Sequence, residues 1–129
     1  MKIYVDMDGT VLSNKLDNQF RCIATAINMA EALLWYADVY VDDLQVNTVL
    51  LGKIATLKAE GHEIIGWTNR DDNKQLMTER NLGIYLPLFD TIQYHAGDKR
   101  SSVVSDGIVY DNEAEYVAMG AAGSTLVTW

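Results

Sequence analysis

Residues 2–10 read KIYVDMDGT and place two carboxylates and a glycine directly after a short apolar run. A run of this kind, ending in an acid, is typical of a strand buried in a parallel sheet. Asp6 and Asp8 are costly to remove from water unless a cation or several hydrogen-bond donors lie among them. The stretch therefore predicts a buried strand that leads directly into a polar site.

The rest of the chain alternates predicted helices with predicted strands. The hydrophobic spacing and the turn residues predict helices over 18–37, 46–59, 72–82 and 113–122, a short helix over 99–105, and strands over 2–6, 63–68, 90–94, 107–111 and 124–128. This alternation indicates an α/β fold, a single Rossmann-like three-layer domain with a central parallel sheet and helices on both faces. We expect one domain over 1–129 with a helical insertion at about 14–44, which is too short to form an independent cap.

Composition and charge narrow the range of partners. The net charge of −8 disfavours long nucleic acid, whose recognition needs clustered Lys and Arg. The single cysteine, Cys22, forms no internal disulfide, and the sequence has neither a signal-peptide pattern nor an apolar run of the ~18 residues that span a membrane. We therefore expect a cytoplasmic protein without membrane contacts. The helix over 18–37 is apolar on a second face, which would suit a lid, a homodimer contact or extra core packing.

Polar residues follow four successive predicted strands, in the ranges 6–10, 68–70, 95–99 and 111–112. Because ligands of parallel α/β sheets bind beyond the carboxyl ends of the strands, we expect these groups to converge. The metal candidates are Asp6, Asp8, Asp111 and Asn112. Their hard oxygens favour Mg²⁺ over zinc.

The same edge offers groups that suit a phosphate. A turn at Gly9 and Thr10 would bring backbone N–H groups toward an anion. Thr68 offers a hydroxyl, Asn69 a backbone N–H and Lys99 a positive charge. The expected ligand is a small phosphorylated substrate.

Four segments in this order resemble the signatures of the haloacid dehalogenase superfamily, in a small capless or mini-cap form. Residues 6–11 (DMDGTV) resemble the first signature and residues 64–69 (IIGWTN) the second. Lys99 lies where the third is expected, and residues 108–112 (IVYDN) resemble the fourth. Together they cover nearly the whole chain, and the first is the most specific.

The resemblance implies a role for each matching residue. Asp6 would be the nucleophile and a Mg²⁺ ligand, and Asp8 the general acid and base, with its backbone carbonyl on the metal. Thr68 and Lys99 would hold the transferring phosphoryl group. The fourth signature would complete the metal shell.

Two departures from the family pattern affect these assignments. The fourth signature reads Asp111-Asn112, so we expect Asn112 to complete the metal shell, with Glu115 as the alternative. The Thr-x-Arg pattern at 68–70 is similar to that of nucleotidases and polynucleotide-end phosphatases, where such an arginine contacts substrate. This similarity makes Arg70 a candidate for substrate binding.

The expected function is hydrolysis of a phosphomonoester, on a small metabolite or nucleotide, through an aspartyl-phosphate. The alternatives are a phosphatase for a nucleic-acid terminus or a phosphoprotein, a phosphotransferase, and a non-catalytic phosphate-binding protein. The last is disfavoured because a binding protein needs no nucleophile paired with an acid.

Overall fold

The computed structural model describes residues 1–13 and 45–128. The strands are β1 (Lys2–Val5), β2 (Leu12–Ser13), β3 (Gln45–Val46), β4 (Glu63–Thr68), β5 (Thr91–Tyr94), β6 (Gly107–Asp111) and β7 (Thr125–Leu126). The helices are α1 (Thr48–Ala59), α2 (Gln75–Leu82) and α3 (Ala114–Val117), with 3₁₀ turns at Asp72–Lys74, Gly83–Leu88 and Lys99–Ser101. Within these residues, no helix is both long and apolar enough to cross a bilayer.

Five strands form one parallel sheet in the order β5-β4-β1-β6-β7. β1 is therefore central, with β4 and β6 on either side. The pairing continues past the end of β1, since Asp6 N donates to Tyr110 O at 3.0 Å. The predicted α/β class is confirmed, and the carboxyl ends of β1, β4 and β6 lie side by side.

Helices cover both faces of this sheet because side chains alternate along each strand. One face packs on α1 and α2 through Ile3, Val5, Ile64, Leu51, Ile54 and Leu82. The other packs on α3 through Tyr4, Ile65, Trp67, Val109 and Tyr116. Both clusters reach the carboxyl edge, so the site rests on core packing from both sides.

The N-terminus of α1 is tied to the loop after β1. Asn47 caps the helix by accepting a hydrogen bond from Leu50 N at 3.1 Å, and its amide donates to Thr10 O at 3.3 Å. Within that loop Met7 O accepts from the backbone N–H groups of residues 10, 11 and 12. One asparagine thus fixes the helix start and the site loop relative to each other.

β2 and β3 pair antiparallel and connect this loop to α1. Leu12 pairs with Val46 and Ser13 with Gln45, so the residues on either side of positions 14–44 lie next to each other. The predicted insertion at 14–44, the helix over 18–37 with its dimer contact, and Cys22 all lie outside the described residues.

The elements predicted over 2–6, 90–94 and 46–59 are one or two residues shorter in the structure, and Val46 lies in β3 instead of the helix. Three other predicted elements are shortened by at least three residues. The last helix is only Ala114–Val117, because the chain turns back and Ala121 N pairs with Gly107 O at 2.8 Å. The final strand is Thr125–Leu126 instead of 124–128. The helix predicted over 99–105 is a single 3₁₀ turn, Lys99–Ser101, which is followed by extended backbone at Ser102.

Candidate active site

Asp6 lies one residue beyond the central strand and is buried, with 7% of its surface exposed. Its Oδ2 accepts a hydrogen bond from Thr10 Oγ1 at 2.9 Å, and its Oδ1 accepts from Lys99 Nζ at 2.7 Å. Both carboxylate oxygens are therefore held by donors from the chain. This fixes the orientation of the carboxylate at the sheet edge.

Lys99 is 1% exposed and joins two strand ends. Its Nζ also donates to Asp111 Oδ2 at 2.6 Å and to Trp67 O at 3.3 Å. The ammonium lies over the rings of Trp67 and Tyr116, at 4.2 Å and 4.4 Å from their centroids. Two carboxylates and two aromatic faces stabilise a positive charge that would otherwise be costly to bury.

The electrostatics of Asp6 follow from this burial. Desolvation raises the pKa of Asp6 to about 7, and the Lys99 ammonium opposes this shift. The negative charge of the Asp111 carboxylate, like burial, raises the pKa of Asp6. With both acids ionised, the cluster of Asp6, Lys99 and Asp111 carries one net negative charge, so a further cation would favour the ionised form of Asp6.

Asp111 is the last residue of β6 and Asn112 follows it, and both lie directly beside Asp6. Asp111 is 1% exposed, and its Oδ1 accepts from Glu113 N at 2.9 Å. With its amide nitrogen turned toward the acids, Asn112 donates to Asp6 Oδ2 at 3.1 Å and to Asp111 Oδ1 at 3.2 Å. A Cβ at Gly9, whose φ is +85°, would collide with this amide. The glycine therefore allows the loop after β1 to approach the end of β6.

A second group connects the ends of β1 and β4. Arg70 donates from Nε to Asp8 Oδ2 at 2.9 Å and from Nη2 to Asp8 Oδ1 at 2.7 Å. Thr68 is 1% exposed, and its Oγ1 accepts from Arg70 N at 3.0 Å. A hydroxyl that accepts a hydrogen bond can still donate its own proton, as a phosphate oxygen would require.

The remaining predicted residues have other contacts. Gly9 N donates to Leu12 O at 2.6 Å and Thr10 N to Met7 O at 3.2 Å, so these N–H groups bond within the loop. The Asn69 side chain accepts from Lys99 N at 2.5 Å. Anion binding by these residues stays a prediction.

The two candidates for completing the metal shell differ in position. Asn112 lies at the two carboxylates, whereas Glu115 Oε2 is 3.9 Å from Arg100 Nη1 and its side chain is 56% exposed. Asn112 is therefore the candidate next to Asp6 in this structure.

Comparison with models of protein families, with curated proteins and with solved structures gives no match. The chemistry of the site is thus the basis for a functional proposal.

The donor set at Asp6 can be tested against Mg²⁺. Among residues 1–13 and 45–128, no cluster of three or more Asp, Glu, His or Cys side chains is arranged to hold a metal. Mg²⁺ does not need such a cluster, because it is commonly bound by one or two carboxylates together with water and substrate phosphate. With the Asn112 amide in the opposite orientation, its oxygen would face Asp6 Oδ2 and Asp111 Oδ1. Three oxygens without a hydrogen between them repel one another unless a cation lies among them. Asp6, Asp111 and Asn112 therefore fit the ion.

Sequence reasoning missed two sets of supporting side chains. Trp67 and Tyr116 flank the Lys99 ammonium, and Thr78 and Asn81 hold Arg70. Thr78 lies on the apolar side of α2 and is fully buried, which is an unusual place for a hydroxyl. A polar residue at an apolar helix position was the signal that could have revealed it.

Proposed function

We propose that this chain is a Mg²⁺-dependent phosphomonoester hydrolase with Asp6 as its nucleophile. The observation that carries the proposal is the position of Asp6, a buried carboxylate held by Thr10 and Lys99 at the end of the central strand. Asp8 follows two residues later and supplies a second carboxylate. A nucleophile beside an acid is the pairing that covalent phosphoryl transfer requires.

In the first step an Asp6 oxygen attacks phosphorus, and the bond to the leaving oxygen breaks as Asp8 gives that oxygen a proton. In the second step water attacks the aspartyl-phosphate, Asp8 takes the proton from water, and the bond between phosphorus and Asp6 breaks. Asp6, Asp111 and Asn112 would hold Mg²⁺, which when bound neutralises phosphate charge. Lys99 would offset charge on the transferring group, and the hydroxyl of Thr68 would donate a hydrogen bond to it.

The proposed substrates are small phosphorylated metabolites or nucleotides. The net charge of −8 supports this choice over long nucleic acid, because such a polyanion would be repelled along its length. A screen of phosphorylated metabolites, nucleotides and end-phosphorylated oligonucleotides would test the choice.

Asp6→Asn tests the nucleophile. An amide of the same size cannot accept a phosphoryl group, so turnover of an aryl phosphate should fall by several decades, to less than about 1% of the wild-type rate. Asp106→Asn is the matched control. Asp106 directly precedes β6, at the amino ends of the strands and away from Asp6, and its side chain is 49% exposed. Wild-type protein without Mg²⁺-dependent turnover, or an active Asp6→Asn variant, would refute the proposal.

Asp8→Asn tests the acid and base. Aryl leaving groups need little protonation, so the first step should persist while hydrolysis of the intermediate slows. We expect a burst of about one aryl alcohol per site with phosphate retained on Asp6. Rapid quench combined with intact-mass analysis measures both quantities. Equal slowing of aryl and alkyl substrates without an adduct would exclude this role for Asp8.

A further inference from the structure

The contact between Asp8 and Arg70 fixes a carboxylate in both position and orientation. Two parallel hydrogen bonds, of 2.9 Å and 2.7 Å, join the guanidinium to the two oxygens of Asp8. A planar guanidinium matches a carboxylate in this two-point manner, which a lysine cannot reproduce. The contact joins the loop after β1 to the loop after β4.

Arg70 is itself held by α2. Its Nη1 donates to Thr78 Oγ1 at 2.9 Å and to Asn81 Oδ1 at 3.1 Å. The hydroxyl proton of Thr78 is directed at Lys74 O, at 2.9 Å, so the oxygen of Thr78 is left to accept from Arg70. A continuous set of hydrogen bonds therefore runs from the backbone carbonyl of Lys74, directly before α2, through Thr78 and Arg70 to the carboxylate of Asp8.

We propose that Arg70 is a positioning residue that ties Asp8 to α2 and sets where its carboxylate lies relative to Asp6. The inference rests on the proposed function, in which Asp8 exchanges protons with the leaving oxygen and with water. It differs from the substrate-binding role that the sequence pattern suggests for Arg70. The Arg70 side chain is 8% exposed, and its four hydrogen bonds to Asp8, Thr78 and Asn81 use most of the five donors of a guanidinium.

Arg70→Gln separates the two roles through kcat and KM. If Arg70 positions Asp8, kcat should fall roughly 10²-fold, as expected for a misplaced catalytic group. KM and the inhibition constant of inorganic phosphate should then stay within about threefold of wild type. Alkyl phosphates should lose more activity than aryl phosphates because their leaving oxygen depends on a proton from Asp8. A rise of more than about tenfold in both constants, with kcat unchanged, would make Arg70 a substrate ligand instead.

Thr78→Val tests the contact between Arg70 and α2, at a residue that contacts Arg70 and not Asp8. The substitution keeps the shape and removes the acceptor, so it should lower kcat roughly five- to tenfold with the same preference for aryl substrates. Thr56→Val is the matched control, since Thr56 Oγ1 makes the same bond to the carbonyl four residues earlier, at 3.2 Å to Gly52 O, on the exposed side of α1. Equal kcat values for the two valine variants would overturn the role of α2. Asn81→Ala, at a half-buried position, repeats the test if Thr78→Val does not fold.

A double-variant cycle shows whether Arg70 acts through Asp8. In an Asp8→Asn background, Arg70→Gln should change the rate of the aryl alcohol burst by less than about twofold, because no carboxylate remains to be positioned. A full additional loss would contradict the inference. Failure of the proposed function would appear earlier and separately, as absence of Mg²⁺-dependent turnover in the wild-type protein.

Discussion

Replacing Lys99 by methionine keeps most of the side-chain volume and removes its charge. In the wild-type protein the ammonium lies 2.7 Å from Asp6 Oδ1 and 2.6 Å from Asp111 Oδ2, and these acids are 7% and 1% exposed. The variant would leave two buried carboxylates without a positive partner from Lys99.

The size of the effect follows from that burial. Removing one partner of a buried ion pair costs roughly 3–5 kcal/mol of unfolding free energy. With an unfolding entropy of about 2.1 cal/mol/K per residue, this corresponds to a decrease in Tm of roughly 11–18 °C for Lys99→Met in a chain of 129 residues. The assay is thermal unfolding at neutral pH with a chelator present, so that no divalent cation replaces the lost charge.

Lys58→Met provides the control because it breaks an ion pair of similar length at the surface. Lys58 Nζ lies 2.9 Å from Asp90 Oδ1, with the two side chains 33% and 41% exposed. Such a pair contributes less than about 1 kcal/mol, or less than roughly 4 °C in Tm. Adding Asp111→Asn to Lys99→Met should recover part of the loss, since one unpaired charge is removed. Similar losses of a few degrees for both lysine variants would refute the reasoning about the buried cluster.

Two further predictions concern the backbone and an exposed carboxylate. Gly9→Ala should destabilise the protein by more than about 1 kcal/mol, because φ is +85° and the new Cβ meets Asn112. In Gly52→Ala, on α1, the new Cβ meets no atom within 4 Å, so this variant should be more stable by roughly 0.5–1 kcal/mol. Urea unfolding of both variants measures whether the two changes in stability have opposite signs. A hydrogen bond from Ile64 N and the charge of Lys58 lower the pKa of Asp90 in the folded protein. Ionised Asp90 therefore stabilises the fold, by no more than about 1 kcal/mol at this exposure. This stabilisation is present above the usual pKa of the carboxyl group and is lost as pH falls through the lower folded pKa. The Tm difference between wild type and Asp90→Asn should therefore shrink in acid, and a difference that grows would contradict the assignment.

The sheet was predictable because each strand carries its own signal. The apolar runs predicted to be strands at 63–68 and 107–111 coincide with β4 and β6 at both ends. The parallel direction of the strands then brings the residues at the carboxyl ends of β1, β4, β5 and β6 to one edge, which a sequence pattern can anticipate. The convergence of Asp6, Asp111 and Lys99 follows from this topology.

The hydrogen-bond partner of each polar group was less predictable from the sequence. Arg70 follows Thr68 in the same short pattern, yet its guanidinium bonds to Asp8 and to α2. The N–H groups at Gly9 and Thr10 bond within their own loop. The bonds of Gly9 and Thr10 depend on a loop conformation that the sequence pattern alone does not specify. The contact between Arg70 and Asp8 depends on the distance between elements far apart in the chain, which no local periodicity encodes. The shortened final helix has the same origin, since its end is set by pairing of Ala121 with Gly107.

The antiparallel pairing of β2 with β3 has an evolutionary consequence. The ribbon pairs Leu12 with Val46 and Ser13 with Gln45, so the two points that flank positions 14–44 are held next to each other by the described residues themselves. Doubling the length of a flexible loop costs only about 0.6 kcal/mol. A segment inserted here that made no contact with the sheet would therefore cost the strands that carry Asp6 and Asp111 little stability. The ribbon is a place where the domain can gain or lose whole segments while the chemistry at the sheet edge stays the same.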